Sequence, residues 1–488
     1  MVGNKWLLFP VLFPMAAAMI FLFLKKEKQQ QIYIFVSMLI EISSVIWICI
    51  TNKASLQFWQ IDKNINIMLQ TDGISCFFAC LISGIWLFAS VFSLEYMKHE
   101  KNTKRFFCFF MMTLGALMGL SFSGNLMTMY LFYEMMTLLT LPLVIHSGTA
   151  QAMQAGYKYL GYSIFGAGLG LAGFFFLSQY CKETAFVPGG TLAMESAAGN
   201  ETLLLIVFLL MMIGFGCKAG MWPLHGWLPT AHPVAPSPAS AVLSGVITKA
   251  GVLAIIRVGY YLFGAEFIKG TWTQQVILCF CIFTIFMGSM LAYKEKLLKK
   301  RFAYSTVSQV CYVLFGLMLF SPVGFCGALL QIVFHAISKN ILFFTAGAVI
   351  YKTGKEAVSQ LEGIGKEMPI VMLCFTMAAL SLIGIPPAGG FISKWFLAEG
   401  ALAGELFLLG LIGTVVLMVS ALLTAGYLLP IVSKGFFTKQ SEFEKKEPCF
   451  LMTAPLCVLS ILVMVLGMFP GGLLDSITKI SNTLFAFV

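Results

Sequence analysis

GFGCKAGMWPLHGWLPTAHPVAPSPASAVLSGVITKAGVLAIIR, residues 214–257, puts Lys218, Lys249 and Arg257 inside two membrane-length apolar segments, with prolines at 223, 229, 233, 236 and 238 between them. A lysine near a bilayer centre costs roughly 2.5–3.5 kcal/mol, so cations at that depth point to function first. Lys249 has apolar or small residues for ~15 Å of helix in each direction, which is the midplane. Arg257 lies about one turn from where its helix leaves the apolar layer. It reads equally well as a cation that snorkels to the interface.

The surrounding chain is 59% hydrophobic and only 11% charged over 488 residues, with apolar runs recurring from end to end. This excludes a soluble enzyme and gives an all-α polytopic membrane protein. Backbone groups in hydrocarbon must bond within their own segment, and the runs are far longer than barrel strands. Fourteen spans are predicted, at approximately 5–24, 31–51, 72–94, 106–122, 125–145, 155–180, 202–221, 239–262, 272–293, 302–320, 323–351, 369–400, 404–432 and 449–471. The first carries Lys5 and a run of alanines, as a secretion signal would, but its apolar run continues through Phe23 with no polar cleavage region, so it reads as a true span.

The 31 Lys and Arg sort unevenly: twenty fall in one set of loops, six on the opposite side and five within spans. Cytoplasmic loops carry the positive excess, so both termini are predicted to face outward from a cell membrane and the loop around Lys299, Lys300 and Arg301 to face the cytoplasm. The net charge of +10 thereby reflects orientation, and no nucleic-acid patch is expected. The 13 cysteines are scattered and form no iron–sulfur or zinc spacing, so they read as small packing residues. Gly166–Gly173 lies within an apolar span and follows no strand. Close helix packing explains it better than a dinucleotide loop.

Further charge falls at depth. Glu134 is nine residues into the fifth span, NLMTMYLFYEMMTLLTLPLVIH, and Lys218 is its natural partner; the alternative is a protonated carboxyl capping a carbonyl. In the eleventh span, QIVFHAISKNILFFTAGAVIY, His335 and Lys339 share a helical face at i and i+4. His335 is a usable proton carrier or, equally, a structural histidine. The twelfth span, AALSLIGIPPAGGFISKWFLAEGAL, must break at Pro386 and Pro387, and Lys394 follows the break. Lys394 either passes protons or plugs the freed carbonyls. Glu399, five residues on, is its candidate partner or an exit group. His225 and His232, in the proline-rich stretch, are secondary candidates along with Lys339 and Glu399. A break with a lysine thus occurs twice, five spans apart and so in opposite orientations, which points to an inverted repeat with a midplane site.

Taken together, YLFYEMMTLLTLPLVIH, GFGCKAGMWPLHGWLPTAHPVAPSPASAVLSGVITKAG, FHAISKNILFFTAGAV and GIPPAGGFISKW resemble the antiporter-like membrane subunits shared by respiratory complex I (its M- and N-type subunits), Mrp-type sodium/proton antiporters (the D-type subunit) and group 4 membrane-bound hydrogenases. The resemblance covers nearly the whole chain. It implies two inverted five-helix repeats with interrupted helices 7 and 12, hence an N-terminal three-helix segment (1–105), a first repeat (106–262), a second (263–432) and a C-terminal helix and tail (433–488). It also implies a proton path through Glu134, Lys218, Lys249, His335 and Lys394. Neither a quinone nor a nicotinamide site is implied, and no cofactor or metal is expected in this chain. Expected partners are other membrane subunits and a peripheral redox arm; expected cargo is H+, with Na+ as the alternative. Lys394, where the middle complex I homologue usually has glutamate, leans the resemblance toward the Mrp D-like or hydrogenase branch, and AHPVAPSPASA resembles the latter.

Three functions of different classes follow: a proton-pumping module driven by a redox partner, a subunit of an ion-driven antiporter, and a structural subunit that moves nothing. Buried charge argues against the third, since a scaffold gains nothing from it.

Overall fold

The computed structural model describes residues 4–51, 54–62, 65–181, 185–437 and 444–486. Lys53, Lys63, Lys182 and Lys439, four of the loop cations counted above, lie outside the described residues. A 3-10 turn leads into α1 (Phe9–Phe21), followed by α2 (Glu27–Thr51), β1 (Ser55–Asp62), β2 (Ile65–Gln70), α3 (Gly73–Tyr96), α4 (Thr103–Ser121), α5 (Leu126–Val144) and α6 (Ala150–Leu177). Then come α7 (Glu201–Ala219), α8 (Leu228–Val234), α9 (Ser237–Phe263), α10 (Trp272–Lys294), α11 (Leu298–Met318) and α12 (Pro322–Thr353). The chain closes with α13 (Pro369–Ile383), α14 (Gly390–Leu402), α15 (Phe407–Phe436), α16 (Phe450–Met468) and α17 (Gly471–Phe485).

Among the described residues, 11 helices are long and apolar enough to cross a membrane. The other predicted spans are the shorter first helix, the more polar α11, and the broken pair α13 and α14. Side-chain caps start several helices where a loop enters the apolar layer: Asn125 accepts from the Thr128 N–H, Thr149 from Ala152 and Ser321 from Gly324. The sequence reading placed a loop between the second and third spans. The structure has an antiparallel hairpin there, with Ser55 paired to Gln70 and Leu56 to Leu69, because Leu56, Ile67 and Leu69 alternate inward.

The interrupted helices are as expected from their prolines and glycines. Helix α7 stops at Gly220, which takes φ +85, and the chain turns through 221–227 before α8. Helix α13 stops at Gly384, φ +90, and α14 begins at Gly390, where any Cβ would collide with the Ser381 carbonyl. Helix α12 is buried along its length from Gly324 to Val349 and packs against α3, α9, α11, α13, α14, α16 and α17. It is the axis of the second half of the molecule. Helix α9 is interrupted by two widened π-helical stretches, Leu243–Ile247 and Arg257–Phe263, one on either side of Lys249.

Candidate functional site

The inward cations lie on α7, α9, α12 and α14: Lys218, Lys249 and Lys339 are fully buried and Lys394 is half-buried. Lys218 is fully buried, and its Nζ donates to Thr137 Oγ1 at 3.0 Å, Tyr159 OH at 2.9 Å and Ser163 Oγ at 3.0 Å. Those three hydroxyls from α5 and α6 use every proton an ammonium has. It also lies over the Tyr159 ring, 4.4 Å from the centroid. The expected ion pair with Glu134 is therefore absent among the described ion pairs: Thr137, one turn along the same helix, takes the carboxylate's place. Glu134 Oε1 is buried with no hydrogen-bond partner, although its carboxyl lies within electrostatic reach of Lys218.

Lys249 and His335, from α9 and α12, are both fully buried and meet directly, with Nζ and Nδ1 2.6 Å apart. The two nitrogens are at hydrogen-bond distance, and the imidazole tautomer sets which of them donates. Lys249 also donates to the Ser244 carbonyl at 2.6 Å, an oxygen in the π-helical turn just before it. The free side of His335, Nε2, has no partner. One turn on, Lys339 donates to the Phe302 carbonyl at 3.1 Å. His232 is fully buried, stacked on Phe343 at 4.7 Å, and both its ring nitrogens are unpartnered. His225 sits half-buried in the break between α7 and α8, with Nδ1 unpartnered.

A polar cluster beside His335 joins α11, α12 and α14. Gln331, one turn earlier on α12, donates through Nε2 to Gln309 Oε1 at 2.8 Å and accepts from Ser393 Oγ at 2.6 Å. Lys394 is the next residue. Its ammonium donates to the Leu382 carbonyl and, at 2.7 Å, to the Ile383 carbonyl, which end α13 at the helix break. Glu399 is exposed, and no ion pair among the described residues joins it to Lys394. Lys299, counted above among loop cations, turns inward: its Nζ donates to the carbonyls of Pro233 at 3.2 Å and Ala235 at 2.6 Å, at the C-terminal end of α8.

Arg257 does not snorkel. It is 1% exposed and forms a bidentate pair with Asp72, plus a bond to Ser75 Oγ at 2.8 Å. Its guanidinium also packs 4.4 Å from the Tyr261 ring centroid. Helix α3 supplies the counter-charge, so no reach to water is needed. Asp72 also accepts from the Ser75 N–H at 2.7 Å as the cap of α3, and an Asp followed three residues later by Ser before an apolar run was the signal for it. Thr137, Tyr159, Ser163, Gln309, Gln331 and Ser393 were also missed, being uncharged. The cysteines are less scattered than read: Cys49 and Cys80 sulfurs are 3.8 Å apart and those of Cys374 and Cys457 4.0 Å, each pair bridging two helices. Among the described residues no three His, Cys, Asp or Glu side chains are placed to hold a metal.

Residues 123–429, which hold every one of these charges except Asp72, match the family model described as NADH:quinone oxidoreductase/Mrp antiporter, TM. The chain belongs to this family. Residues 59–107 match a second model, the N-terminus of chain 5 of NADH-ubiquinone oxidoreductase (complex I). The antiporter-like chain is 31% identical over 415 residues to NADH-quinone oxidoreductase subunit N of Desulforudis audaxviator, covering 82% of this chain and 81% of that one. It is 31% identical over 450 residues to Na(+)/H(+) antiporter subunit A1 of Staphylococcus haemolyticus, covering 87% of this chain; it spans only 55% of that longer relative. The fold matches a chain of the Mrp complex from Dietzia sp. with a TM-score of 0.85 at 20% identity, covering 99% of this chain and 98% of that one. The protein is thus a multi-pass membrane subunit whose fold occurs in multisubunit membrane complexes.

Proposed function

We propose that this antiporter-like subunit translocates protons within a redox-driven, complex I-like or hydrogenase-like membrane assembly, through a midplane chain of Glu134, Lys218, Lys249, His335 and Lys394. The Lys249–His335 contact carries the reading. Two groups that each bind one proton, fully buried and 2.6 Å apart, are placed to exchange it without a mobile carrier. Two inverted repeats, each with a broken helix, supply the two halves of the path, and the Gln309–Gln331–Ser393 cluster lies between them, one turn from His335 on α12 and next to Lys394 on α14. Partner subunits supply the drive: withdrawing the charge of Glu134 leaves Lys218 with hydroxyl dipoles only, and desolvation then favours release of its proton. The chain lies in the cell membrane with both termini outside.

The test is proton uptake by vesicles holding the reconstituted complex. His335→Ala and Lys249→Ala should each lower translocation by roughly 10²-fold, the scale of a lost proton-transfer group, with assembly intact. Lys394→Arg keeps charge and donors but does not deprotonate, and should assemble and pump little. Near-normal pumping by the arginine variant would leave Lys394 as a plug for the Leu382 and Ile383 carbonyls. The similarity to the staphylococcal antiporter subunit A1 favours a second reading, a subunit of a sodium/proton antiporter, of which the D type is the one the sequence resembles. Dependence of proton movement on external Na+ without any redox substrate would select it.

A further inference from the structure

The end of the bundle that carries the excess of loop cations contains a cavity of about 380 Å³ that the proposed path does not use. Lys296 from the α10–α11 loop, Arg301 at the start of α11 and Lys434 near the end of α15 bring three positive charges to it, and Val358, Leu361 and Ile431 give it an apolar wall. No carboxylate lines it, and none of the three cations takes part in an ion pair among the described residues. Glu295, within electrostatic reach of Arg301, is engaged elsewhere: its carboxylate meets Lys300 at 2.9 Å and accepts from the N–H groups of Lys296 and Leu297. The basic cavity between α2 and α3 differs, because Lys98 there is already paired with Glu27 and Glu95.

Arg301 is fixed in place without a counter-charge. Its Nε and Nη2 donate to the Glu295 carbonyl at 2.9 Å and 2.6 Å, and Nη1 donates to the Tyr427 carbonyl at 2.9 Å. Three of the five N–H groups of the guanidinium thus rest on neutral oxygens, and two remain for an anion. A planar, permanently charged fork held half-buried in this way suits a phosphate.

The apolar side of the cavity continues down the outside of the bundle. On α15, Leu422, Gly426, Pro430 and Lys434 recur every fourth residue, so they share a face, and all four are exposed. Pro430 and Lys434 line the cavity, and from Lys434 to Leu422 the face runs ~18 Å, close to the depth of one leaflet. Gly426 leaves a notch beside the exposed ring of Tyr293 on α10, which a Cβ at that position would approach to 3.0 Å. Cations at the mouth and an apolar furrow below them match one molecule with a phosphate at one end and acyl chains at the other.

We infer that this cavity binds the headgroup of an anionic phospholipid, its phosphodiester on Lys296, Arg301 and Lys434 and an acyl chain along Gly426 and Leu422 beside Tyr293. A free phosphate would use the cations and not the furrow, and an acidic segment of a neighbouring subunit would keep the lipid out.

The experiment is photo-crosslinking of the purified complex in phosphatidylcholine vesicles, with a photoreactive acyl chain carried either on phosphatidylglycerol or on phosphatidylcholine and the adducts mapped by mass spectrometry. The phosphatidylglycerol probe should label the peptides that hold Tyr293 and Leu422–Pro430 in excess over the phosphatidylcholine probe. That excess should fall roughly fivefold for each lysine removed in Lys296→Gln and Lys434→Gln, with subunit composition and melting midpoint unchanged. Equal labelling by the two probes, or an excess that survives the double variant, overturns the inference. Displacement of the label by inorganic phosphate overturns it in favour of a free anion, and labelling that appears only once a neighbouring subunit is stripped away overturns it in favour of a partner's acidic segment. Because the readout is a lipid adduct and not pumping, its failure is distinguishable from failure of the central path.

Discussion

Asp72 and Arg257 show how one ion pair changes what a buried cation is for. Lys218, Lys249 and Lys394 are held by hydroxyls, an imidazole and carbonyls, all neutral groups that let a proton leave. Arg257 has a carboxylate and does not deprotonate in proteins. It is accordingly a structural joint between α3 and α9. Asp72→Asn strands the guanidinium and should cost about 3–5 kcal/mol, the usual effect of breaking a buried pair from one side. Thermal unfolding of the purified complex should show a lower midpoint, while residual folded protein retains its proton-translocation rate per complex. A selective loss of transport at unchanged stability would place Arg257 on the path instead.

At the scale of an element, the break between α13 and α14 is a backbone feature made possible by glycine. Gly390→Ala drives a methyl into the Ser381 carbonyl, backbone against backbone, so neither side can yield cheaply. The expected outcome is a complex that loses assembly or thermal stability, and a wild-type melting curve for Gly390→Ala would show that the two half-helices are not held as described. Gly354, with open space around it, is not a useful control because its φ is +69; Gly161, with open space and an ordinary backbone, is. Gly161→Ala should leave stability within a few tenths of a kcal/mol or raise it slightly.

For the whole molecule, the cation bias of the loops predicts orientation. A single cysteine placed in the loop at Lys296, in a cysteine-free background, should resist an impermeant thiol reagent in intact cells and react once the membrane is opened. Ready labelling of intact cells would invert the topology. Much of this architecture was legible in the sequence because charge inside an apolar span is conspicuous: Lys218, Lys249, His335 and Lys394 stood out for that reason. Prolines and glycines marked both breaks equally well. The partners of those charges were not legible, because Thr137, Tyr159, Gln309, Gln331 and Ser393 are ordinary helix residues until the fold brings them to a lysine or to each other. Glu134 and Lys218 illustrate the limit. Opposite charges suggested a pair, and a hydroxyl one turn away had the better geometry.

Helix α17 runs along one end of the bundle, with Ile477, Ser481 and Leu484 turned inward. Ile480 abuts Gly73 at the start of α3, Ser481 reaches the Pro322 carbonyl at the start of α12, and Phe485 packs on Tyr260 of α9 and Phe325 of α12. One strap thus buckles three helices together at the end where Asp72 and Arg257 are already joined. Helices tied at one end pivot there, as blades do at a rivet. Any gap that admits water to Lys249 and His335 must then widen toward the opposite ends of α3, α9 and α12, where Lys299 and the carbonyls of Pro233 and Ala235 stand at the threshold.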